Sequence, residues 1–484
     1  VRCLDREAID KHGIAGITLM RRAGQAAFDV LLAAWPAVEH ITVYCGAGNN
    51  GGDGFVMATL AMKHGIPVTV IQCGDSRKIA GDALQARKLA EQDGVRIQQF
   101  SETNTVASGV IVDALLGTGL TGDVRGEFLQ AIEQINSSHC PVIAIDTPSG
   151  VCSDTGRMLG KGVYAQHTVS FIGFKQGLLT GAAPDYTGDL HFSDLLVPES
   201  VYESMEHSCD WLDFSLLKAM LAPRSSTAHK GQFGHVMVTG GDSGMAGAAA
   251  MASQAACRVG AGLTSCATRP EHVSAIVGRC PEVMTHGVIS GQEIEPLLKR
   301  ASVVVVGPGL GQGPWGEQLL QKVYSLSVPL VVDADALNIL AAARVVKKPY
   351  RENWILTPHP GEAARLLDCS VSNIQQDRFA AVQALQEKFG GAVILKGAGT
   401  LVADADNNKP ALSTYGNAGM ASGGMGDVLS GVLGALLAQG LSPAQAARFG
   451  VCMHGLAADI AAQDGQRGMV ATDLIPVLRH LVNQ

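Results

Sequence analysis

A chain of 484 residues is too long for one hydrophobic core, so we expect two or three domains. Apolar residues make up 47% and charged residues 17%, a balance typical of a well-packed globular protein. The net charge of −8 argues against a nucleic-acid surface and an anionic-membrane surface, so we expect neither nucleic-acid nor membrane partners.

The eleven cysteines are scattered, and no CxxC pair occurs among them. Free thiols in a reducing compartment are therefore expected, and the predicted location is cytoplasmic. The sequence contains no charged-then-apolar leader and no apolar run long enough to cross a bilayer. Because it starts at Val1, we expect a few residues to be missing before it.

The first half alternates apolar runs with helical patterns. The patterns predict buried strands in 40–46, 66–74, 109–117 and 140–150, and helices in 53–65, 79–94 and 126–135. Continuous apolar strands separated by helices indicate a parallel sheet covered on both faces. The expected fold of this half is an α/β, Rossmann-like three-layer domain.

An acidic, polar segment at 195–215 interrupts this rhythm and contains no turn glycine. We therefore expect a first domain at 1–205, a linker at 206–214 and a second α/β domain at 215–484. The second domain is predicted to contain strands in 234–241, 302–309, 328–337 and 353–362, a hairpin at 392–404, and mostly helix from Asp427 onward.

Two glycine-rich loops in the first half satisfy the GxGxxG pattern, at 46–52 and 117–122. A pattern that occurs twice in one domain is weakly specific, and the acid that should follow a dinucleotide fingerprint, Asp75, comes late. An ordinary Rossmann oxidoreductase is therefore only an alternative interpretation.

Polar side chains at the strand ends are more informative. Asn50, Asp113, Asp146 and Ser149 lie where predicted strands end, and the loops at the carboxyl ends of parallel strands form the ligand crevice. Their amide, carboxylate and hydroxyl oxygens suit a hard cation. Each residue alone could simply cap a loop or helix, but the four together favour a site.

The stretch "ASGGMGDVLSG" (421–431) places Asp427 at the start of an apolar helix, directly after glycines. The amides of Gly424, Met425 and Gly426 can form an anion nest there, and no Walker A sequence occurs elsewhere. A carboxylate beside such a nest could accept the proton of a hydroxyl that attacks a phosphoryl group. The alternative is that Asp427 is only a helix cap.

The first half resembles the epimerase domain of the bifunctional NAD(P)H-hydrate repair enzymes. The resemblance rests on "LMRRAGQAAF" (19–28), "GAGNNGGDGFVMA" (46–58), "VDALLGTGL" (112–120) and "AIDTPSGV" (144–151). It implies that Asp146 is the acid/base and that K⁺ binds Asn50, Asp113 and Ser149. The implied contacts with the hydrated nicotinamide nucleotide are Asn49, Asn50, Gly51, Gly52, Asp53, Gly117, Thr118, Gly119, Leu120, Thr121, Gly122, Asp123 and Asp146.

The second half resembles the ADP-dependent dehydratase of the same family, which has a ribokinase-like fold. The motifs are "HKGQFGHVMVTGGDSGMAGAA" (229–249), "VVGPGLG" (305–311), "VVDADALNIL" (331–340), "LTPHPGEAARLL" (356–367), "ILKGAGT" (394–400) and "GNAGMASGGMGDVLSG" (416–431). The implied ADP contacts are Lys396, Gly397, Ala398, Gly399, Thr400 and Gly426, and the implied substrate contacts are Ala248, Gly309, His359 and Asp427.

His359 lies between two prolines, so a purely structural hydrogen bond is its rival role. Lys396 could equally be a surface lysine in a hairpin turn. Glu362 resembles the glutamate that organises magnesium-bound water in vitamin-type kinases of the ribokinase-like fold.

The resemblance implies a cytoplasmic enzyme that epimerises hydrated NADH and NADPH and dehydrates the S epimer with ADP, releasing AMP and phosphate. Asp427 would be the catalytic base, K⁺ would bind the epimerase domain, and Mg²⁺ would accompany ADP. A homo-oligomer is expected, with the Gly/Ala-rich helix at 245–256 as a candidate subunit face. The alternatives are a ribokinase-type small-molecule kinase with an accessory nucleotide-binding domain and a non-enzymatic nucleotide-sensing scaffold.

Overall fold

The structure, a computed structural model, describes residues 1–104, 106, 108–203 and 205–483. The chain divides into two compact units, residues 1–207 and 208–484. Each unit is an α/β fold built on its own sheet. Within the described residues, no helix is long and apolar enough to span a membrane.

The sheet of the first unit has the strand order β3-β2-β1-β4-β5-β6-β7, and its neighbouring strands are parallel. The strands are β1 Ile41–Cys45, β2 Val68–Gln72, β3 Arg96–Gln99, β4 Val110–Ala114, β5 Val142–Ile145, β6 His167–Phe171 and β7 Asp189–Ser193. The helices are α1 Arg2–Asp10, α2 Gly16–Ala34, α3 Asn49–Lys63, α4 Gly81–Gln92, α5 Gly126–Ser137, α6 Pro184–Thr187 and α7 Ser200–Glu203.

The four strands predicted from apolar runs, β1, β2, β4 and β5, form the centre of this sheet, where both faces are buried. The patterns did not indicate β3, β6 and β7. The outermost strands β3 and β7 are half exposed and largely polar, while β6 buries the polar side chains Thr168 and Ser170. These three strands therefore lack a continuous apolar run.

The sheet of the second unit has the order β11-β10-β9-β12-β13-β14-β15-β16-β17-β8 and is parallel except for the antiparallel hairpin steps β15-β16 and β16-β17. The strands are β8 Asp210–Trp211, β9 His235–Thr239, β10 Leu263–Thr268, β11 Met284–Gly287, β12 Val303–Val306, β13 Leu330–Val332, β14 Trp354–Leu356, β15 Ala392–Leu395, β16 Thr400–Asp404 and β17 Ala411–Ser413.

The second unit is rich in helix, and its last part is mostly helical, as predicted. The helices are α8 Phe214–Leu217, α9 Ala246–Val259, α10 Val273–Arg279, α11 Gly291–Leu298, α12 Pro314–Tyr324, α13 Ala334–Ala341, α14 Pro360–Leu367, α15 Val371–Gln376, α16 Arg378–Phe389, α17 Met425–Ala438, α18 Pro443–Ala461 and α19 Leu474–Leu481.

Two expectations from the sequence need correction here. The expected linker at 206–214 includes β8, which pairs with β17, and Asp210 accepts a hydrogen bond from Arg448 at 2.7 Å. The Gly/Ala-rich helix α9 packs against α17 inside the unit, where a Cβ on Gly431 would lie 2.1 Å from the Ala252 carbonyl oxygen. Because the small residues of α9 pack against α17, they do not form an available subunit face.

Candidate active sites

The parallel register of the first sheet brings the predicted polar residues to one edge. Tyr44 of β1 is level with Asp113 of β4, which is level with Ala144 of β5. Asp146 follows β5 directly, and Ser149 lies in the turn beyond it. Sequence spacing had placed these residues at corresponding strand ends, and the parallel register is the reason that they meet.

Asp113 and Ser149 form a buried pair. The Ser149 hydroxyl donates to Asp113 Oδ1 at 2.6 Å, the Ser149 amide donates to Oδ2 at 2.7 Å, and the Leu115 amide donates to Oδ1 at 3.2 Å. Burial nevertheless raises the pKa of Asp113 to about 6 because these hydrogen bonds offset desolvation only in part. The carboxylate therefore carries a negative charge that the described side chains do not fully compensate.

Asn50 is buried in the first turn of α3. A Cβ on Gly117 would lie 3.3 Å from Asn50 Cγ, so the loop after β4 passes directly over the amide. Within the described part of the chain, Asn50 Oδ1 and Nδ2 are buried without a hydrogen-bond partner. A buried amide oxygen without a donor is a vacant ligand for a cation or a polar substrate.

The glycines of the "GAGNNGG" loop allow this close packing. A Cβ on Gly46 would lie 1.9 Å from the Leu115 carbonyl oxygen, and a Cβ on Gly51 would lie 2.1 Å from the Gly46 carbonyl oxygen. A Cβ on Gly52 would meet the Met20 side chain at 2.5 Å. Only glycine fits where main chain meets main chain at these distances, so the start of α3 is pressed against the β4 loop.

A cleft of about 740 Å³ opens at this edge of the sheet. Among the predicted substrate contacts, those that line the cleft are Asn49, Asn50, Asp53, Gly117, Thr118, Gly119, Leu120, Thr121 and Asp146. Within the described residues, Gly51, Gly52, Gly122 and Asp123 do not line it. The predicted cation ligands Asp113 and Ser149 do not line it either, and both are buried.

Sequence reasoning missed two charged residues at this site. Asp5 of α1 lines the cleft, and Lys175 forms a buried ion pair with Asp146. Burial raises the pKa of Asp53 well above its ordinary value, and the charges of Asp146 and Asp5 add to this effect. Lys175 comes after β6, a strand that the pattern did not reveal, so neither periodicity nor spacing could have paired it with Asp146.

The site of the second unit is built on three successive strands. Asp333 follows β13, Thr357 follows β14 and Lys396 follows β15. Asp333 Oδ1 accepts from Thr357 Oγ1 at 2.6 Å and from Lys396 Nζ at 3.0 Å, while Oδ2 accepts from Ser430 Oγ of α17 at 2.8 Å. Burial opposes the charge of Asp333, but Lys396 and the two hydroxyls outweigh it, so the pKa of Asp333 is lowered.

Asp333 thus holds Lys396 at the site, and the alternative of a surface lysine is not supported because this side chain is only 22% exposed. A Cβ on Gly426 would lie 3.3 Å from Lys396 Nζ and 3.5 Å from Asp333 Oδ2. The glycine therefore lets the N-terminus of α17 approach the ammonium group. Lys396 and the helix terminus together provide positive potential, which suits a phosphate.

Asp427 lies in the first turn of α17, next to this ammonium group. Its pKa is raised to about 7, first by burial and then by the charges of Asp333 and Asp335, while Lys396 opposes the shift. A carboxyl group with a pKa near neutrality is well suited to general acid–base catalysis. Within the described residues, Asp427 makes no cap hydrogen bond, so the cap interpretation has no support.

His359 has the structural role that was its rival interpretation. Its Nδ1 accepts from the Gly361 amide at 3.0 Å, and its own amide donates to Glu362 Oε2 at 2.8 Å, which together cap α14. The imidazole is nevertheless 51% exposed, although its Nε2 lies 3.5 Å from Glu362 Oε1. Glu362 is buried 3.9 Å from Lys396 Nζ, and burial raises its pKa.

The "GPGLG" loop contacts the start of α9. A Cβ on Gly309 would lie 2.8 Å from Met245 Cβ and 3.1 Å from Ala248 Cβ, so the two predicted substrate contacts Gly309 and Ala248 are neighbours. The Gly311 amide donates to Asp335 Oδ2 at 2.9 Å, which fixes the end of this loop. Asp335 thus belongs to the site through the loop and through its charge on Asp427.

The predicted ADP loop, Lys396 to Thr400, is the turn of the β15–β16 hairpin. The buried Arg378 lies beneath it and donates from Nη2 to the Leu395 and Lys396 carbonyl oxygens, both at 3.3 Å. Gly397 and Ala398 are exposed, so this part of the turn faces solvent. The sequence offered no signal for Arg378, because it lies on α16, outside every motif.

These features define a class: a two-unit α/β protein with a cleft of about 740 Å³ in the first unit and, in the second, a helix N-terminus that lies beside a lysine and an acid. A family model described as YjeF-related protein N-terminus matches residues 16–177. A second model, described as NAD(P)H-hydrate dehydratase, matches residues 236–479.

Known proteins resemble the chain over its full length and over the second unit. A bifunctional NAD(P)H-hydrate repair enzyme of Coxiella burnetii is 48% identical over 484 residues, which cover 100% of this chain and 98% of that protein. A ribokinase-like superfamily protein of Enterococcus faecalis is 29% identical with a TM-score of 0.52, covering 58% of this chain and 97% of its own. An ADP/ATP-dependent NAD(P)H-hydrate dehydratase of Bacillus subtilis, co-crystallised with ATP and Mg²⁺, is 26% identical with a TM-score of 0.52, covering 57% and 99%.

The chain belongs to the family of bifunctional NAD(P)H-hydrate repair enzymes. Its first unit is the epimerase domain, an isomerase of Rossmann-like fold, and its second unit is the dehydratase domain, a lyase of ribokinase-like fold. The predicted family, fold class and activities are thus confirmed, and the kinase and scaffold alternatives are not supported.

Proposed function

We propose that the second unit dehydrates the S epimer of hydrated NADH or NADPH with ADP as the phosphoryl donor, releasing AMP and phosphate. The observation that carries the proposal is the cluster of Lys396, Asp333 and Asp427 at the N-terminus of α17. It combines a fixed ammonium group, helix amides and a carboxyl group whose pKa is about 7. These are the groups that phosphoryl transfer to a hydroxyl requires.

In the proposed reaction, Asp427 removes the proton of the substrate hydroxyl, whose oxygen attacks the terminal phosphorus of ADP and displaces AMP. The hydrate has then exchanged a hydroxyl for a phosphate leaving group. The ring nitrogen's lone pair expels this phosphate, and loss of a neighbouring proton restores the reduced nicotinamide. Lys396 and the amides at the start of α17 stabilise the negative charge that builds up on the phosphoryl oxygens.

The remaining predicted contacts keep their proposed roles around this centre. Lys396 to Thr400 and Gly426 bind the nucleotide, supported by the exposed hairpin turn and by the proximity of Gly426 to Lys396. Gly309, Ala248 and the free imidazole face of His359 contact the hydrate. Glu362 provides a buried, incompletely compensated carboxylate that fits a role in holding Mg²⁺ or its water. Bound Mg²⁺ would neutralise phosphate charge.

The first unit is proposed to interconvert the R and S epimers in its cleft, with Asp146 as the acid/base. Epimerisation through ring opening, or through loss and return of water, needs proton transfer at a positioned group, and Asp146 lines the cleft. The loops 49–53 and 117–123 are proposed to hold the nucleotide. Gly51, Gly52, Gly122 and Asp123 would act there through loop shape or after closure of the loop.

Potassium is proposed to bind Asn50, Asp113 and Ser149. The residues fit this ion because they offer oxygen ligands: a buried amide oxygen without a partner beside a carboxylate whose pKa burial raises to about 6. Bound K⁺ would supply a fixed positive charge beneath the substrate. Asp113 and Ser149 themselves tie the loops after β4 and β5 together.

A mixture of R and S hydrates tests both proposals in one experiment. With ADP and Mg²⁺, the intact chain should convert the whole mixture to the reduced cofactor, followed by the return of its absorbance. Asp146→Asn should stop when the S fraction is exhausted, and Asp427→Asn should not start. If Asp427→Asn dehydrates normally, or if Asp146→Asn consumes both epimers at the wild-type rate, the corresponding assignment is wrong.

We also propose a cytoplasmic location, supported by eleven free cysteines, five of them buried, since thiols persist in a reducing compartment. The proposed partners are the two hydrated cofactors and ADP.

A further inference from the structure

Lys175 is an almost fully enclosed charged side chain near the epimerase cleft. Its side chain is 2% exposed, and its ammonium group contacts Asp146 Oδ1, Ser170 Oγ at 3.1 Å and the Phe171 carbonyl oxygen at 3.0 Å. An ammonium group has three N–H donors, so these oxygens account for its full capacity. A lysine held in this way has a fixed position rather than a flexible one.

Asp146 is held from the other side by its backbone. It follows β5 at a φ of 65°, a left-handed conformation that side-chain-bearing residues rarely adopt, and its amide donates to the Val169 carbonyl oxygen at 2.8 Å. The carboxylate is 16% exposed and lines the cleft, whereas Lys175 is absent from the described lining residues. Lys175 therefore reaches the cleft only through Asp146.

We propose that Lys175 is the positioning residue of the epimerase: it fixes Asp146 Oδ1 and the carboxylate's charge, so that Oδ2 transfers the proton. This inference rests on the proposed role of Asp146 as the acid/base. The transferred proton moves only between substrate and Asp146. Ser170 and Phe171 hold the ammonium group in place, which links the end of β6 to the chemistry beyond β5.

The charges around Asp146 explain why the positive charge of Lys175 matters at this site. Asp53 of α3 and Asp5 of α1 both have pKa values raised by burial and by the charge of Asp146, while Lys175 opposes the shift in each. Without Lys175, Asp146, Asp53 and Asp5 would share one partly desolvated cleft with no lysine beside them. Asp82 and Arg2 line the same cleft. The repulsion among these carboxyl groups would then act on Asp146 without a compensating charge, and its side chain would lose the contact that orients it.

The test follows conversion of pure R hydrate to S hydrate without ADP, by chromatography, as a function of pH. Lys175→Met should lower kcat at pH 7 by at least about tenfold, leave KM within about threefold, and move the acidic limb of the pH profile upward by about one unit or more. Lys175→Arg keeps the charge and should leave that limb near its wild-type position. Dehydration of S hydrate by the same chain is the internal control and should not change.

If Lys175→Met does not fold, Lys175→Gln takes its place. The melting transition of the epimerase unit shows whether each variant is folded. The double variant Lys175→Met/Asp146→Asn should be no slower than Asp146→Asn alone, since Lys175 acts through Asp146. An unmoved pH limb in the folded neutral variant, or additive losses in the double variant, would overturn the inference. If wild-type chain does not epimerise the R hydrate at all, the proposed function fails instead.

Discussion

The pH dependence of dehydration is a direct test of Asp427 as the base. Its pKa is raised to about 7, first by burial and then by Asp333 and Asp335. Only the ionised carboxylate can accept the hydroxyl proton, so kcat/KM should follow the ionised fraction. That fraction rises from roughly 9% at pH 6 to roughly 91% at pH 8, and the rate constant should therefore rise roughly tenfold across this range.

Asp335→Asn makes the test specific to this carboxyl group. The substitution removes one of the negative charges that raise the pKa of Asp427, so the acidic limb should move to lower pH. An asparagine oxygen can still accept the hydrogen bond from the Gly311 amide, which preserves the loop contact. Rates at pH 6 should thus increase relative to those at pH 8.

The assay measures the return of reduced-nicotinamide absorbance from S hydrate at limiting substrate and saturating ADP and Mg²⁺. Epimerisation by the same chain is measured in parallel, because its pH profile should not respond to Asp335→Asn. A dehydration profile that is flat from pH 6 to pH 8 would refute the assignment. The assignment would also be refuted if the acidic limb of the dehydration pH profile stayed in place in Asp335→Asn.

Three further outcomes are expected. Gly46→Ala should destabilise the epimerase unit by about 1–3 kcal/mol in thermal unfolding, because the new Cβ would lie 1.9 Å from a backbone oxygen. Gly48→Ala is the control and should change little, because no atom lies within 4 Å of that Cβ. Equal melting temperatures for the two variants would contradict this packing. Lys396→Met should lower the free energy of unfolding of the dehydratase unit by about 3 kcal/mol in denaturant, because it leaves the buried Asp333 without its ion-pair partner. The double variant Lys396→Met/Asp333→Asn should recover part of that loss. A double variant that loses as much as the two single variants added together would count against the ion pair. Without K⁺, the free energy of unfolding of the epimerase unit should fall by on the order of 3 kcal/mol between pH 4 and pH 7. The reason is that the folded pKa of Asp113 is raised to about 6, so its contribution to stability is lost as pH rises through that value. KCl should reduce this loss relative to tetramethylammonium chloride, and Asp113→Asn should abolish both the pH effect and the salt effect.

The sequence predicted the central strands of both sheets because they are continuous apolar runs. It also predicted the loops that follow them, since parallel strands deliver their carboxyl ends to one edge. It did not predict β3 and β7, which lie at the sheet edges and are largely polar. It placed a linker over β8, because two residues that pair only with a distant strand leave no local pattern.

The same distinction separates the predicted site residues from the missed ones. Asn50, Asp113, Asp427 and Lys396 belong to glycine-rich motifs at strand ends, so local sequence identifies them. Lys175, Asp5 and Arg378 reach the sites from outside those motifs, and their partners are chosen by tertiary packing. Arg378, for example, contacts carbonyl groups 17 and 18 residues away along the chain. No periodicity encodes such a contact.

Each unit contains a buried lysine–carboxylate pair at the strand ends, but the two pairs serve different acids. In the first unit, Lys175 contacts Asp146, the cleft acid itself. In the second unit, Lys396 contacts Asp333, and Asp427 is left with a pKa of about 7.

The difference matches the two proposed reactions. Epimerisation returns its proton to the substrate, so it is served by a carboxylate held in one orientation. Dehydration consumes the hydroxyl proton while negative charge builds up on phosphate, so it is served by a base whose pKa lies near the ambient pH and by a lysine that Asp333 holds beside the start of α17. Exchanging the arrangement, by placing a lysine in direct contact with Asp427, should therefore lower its pKa and weaken it as a base.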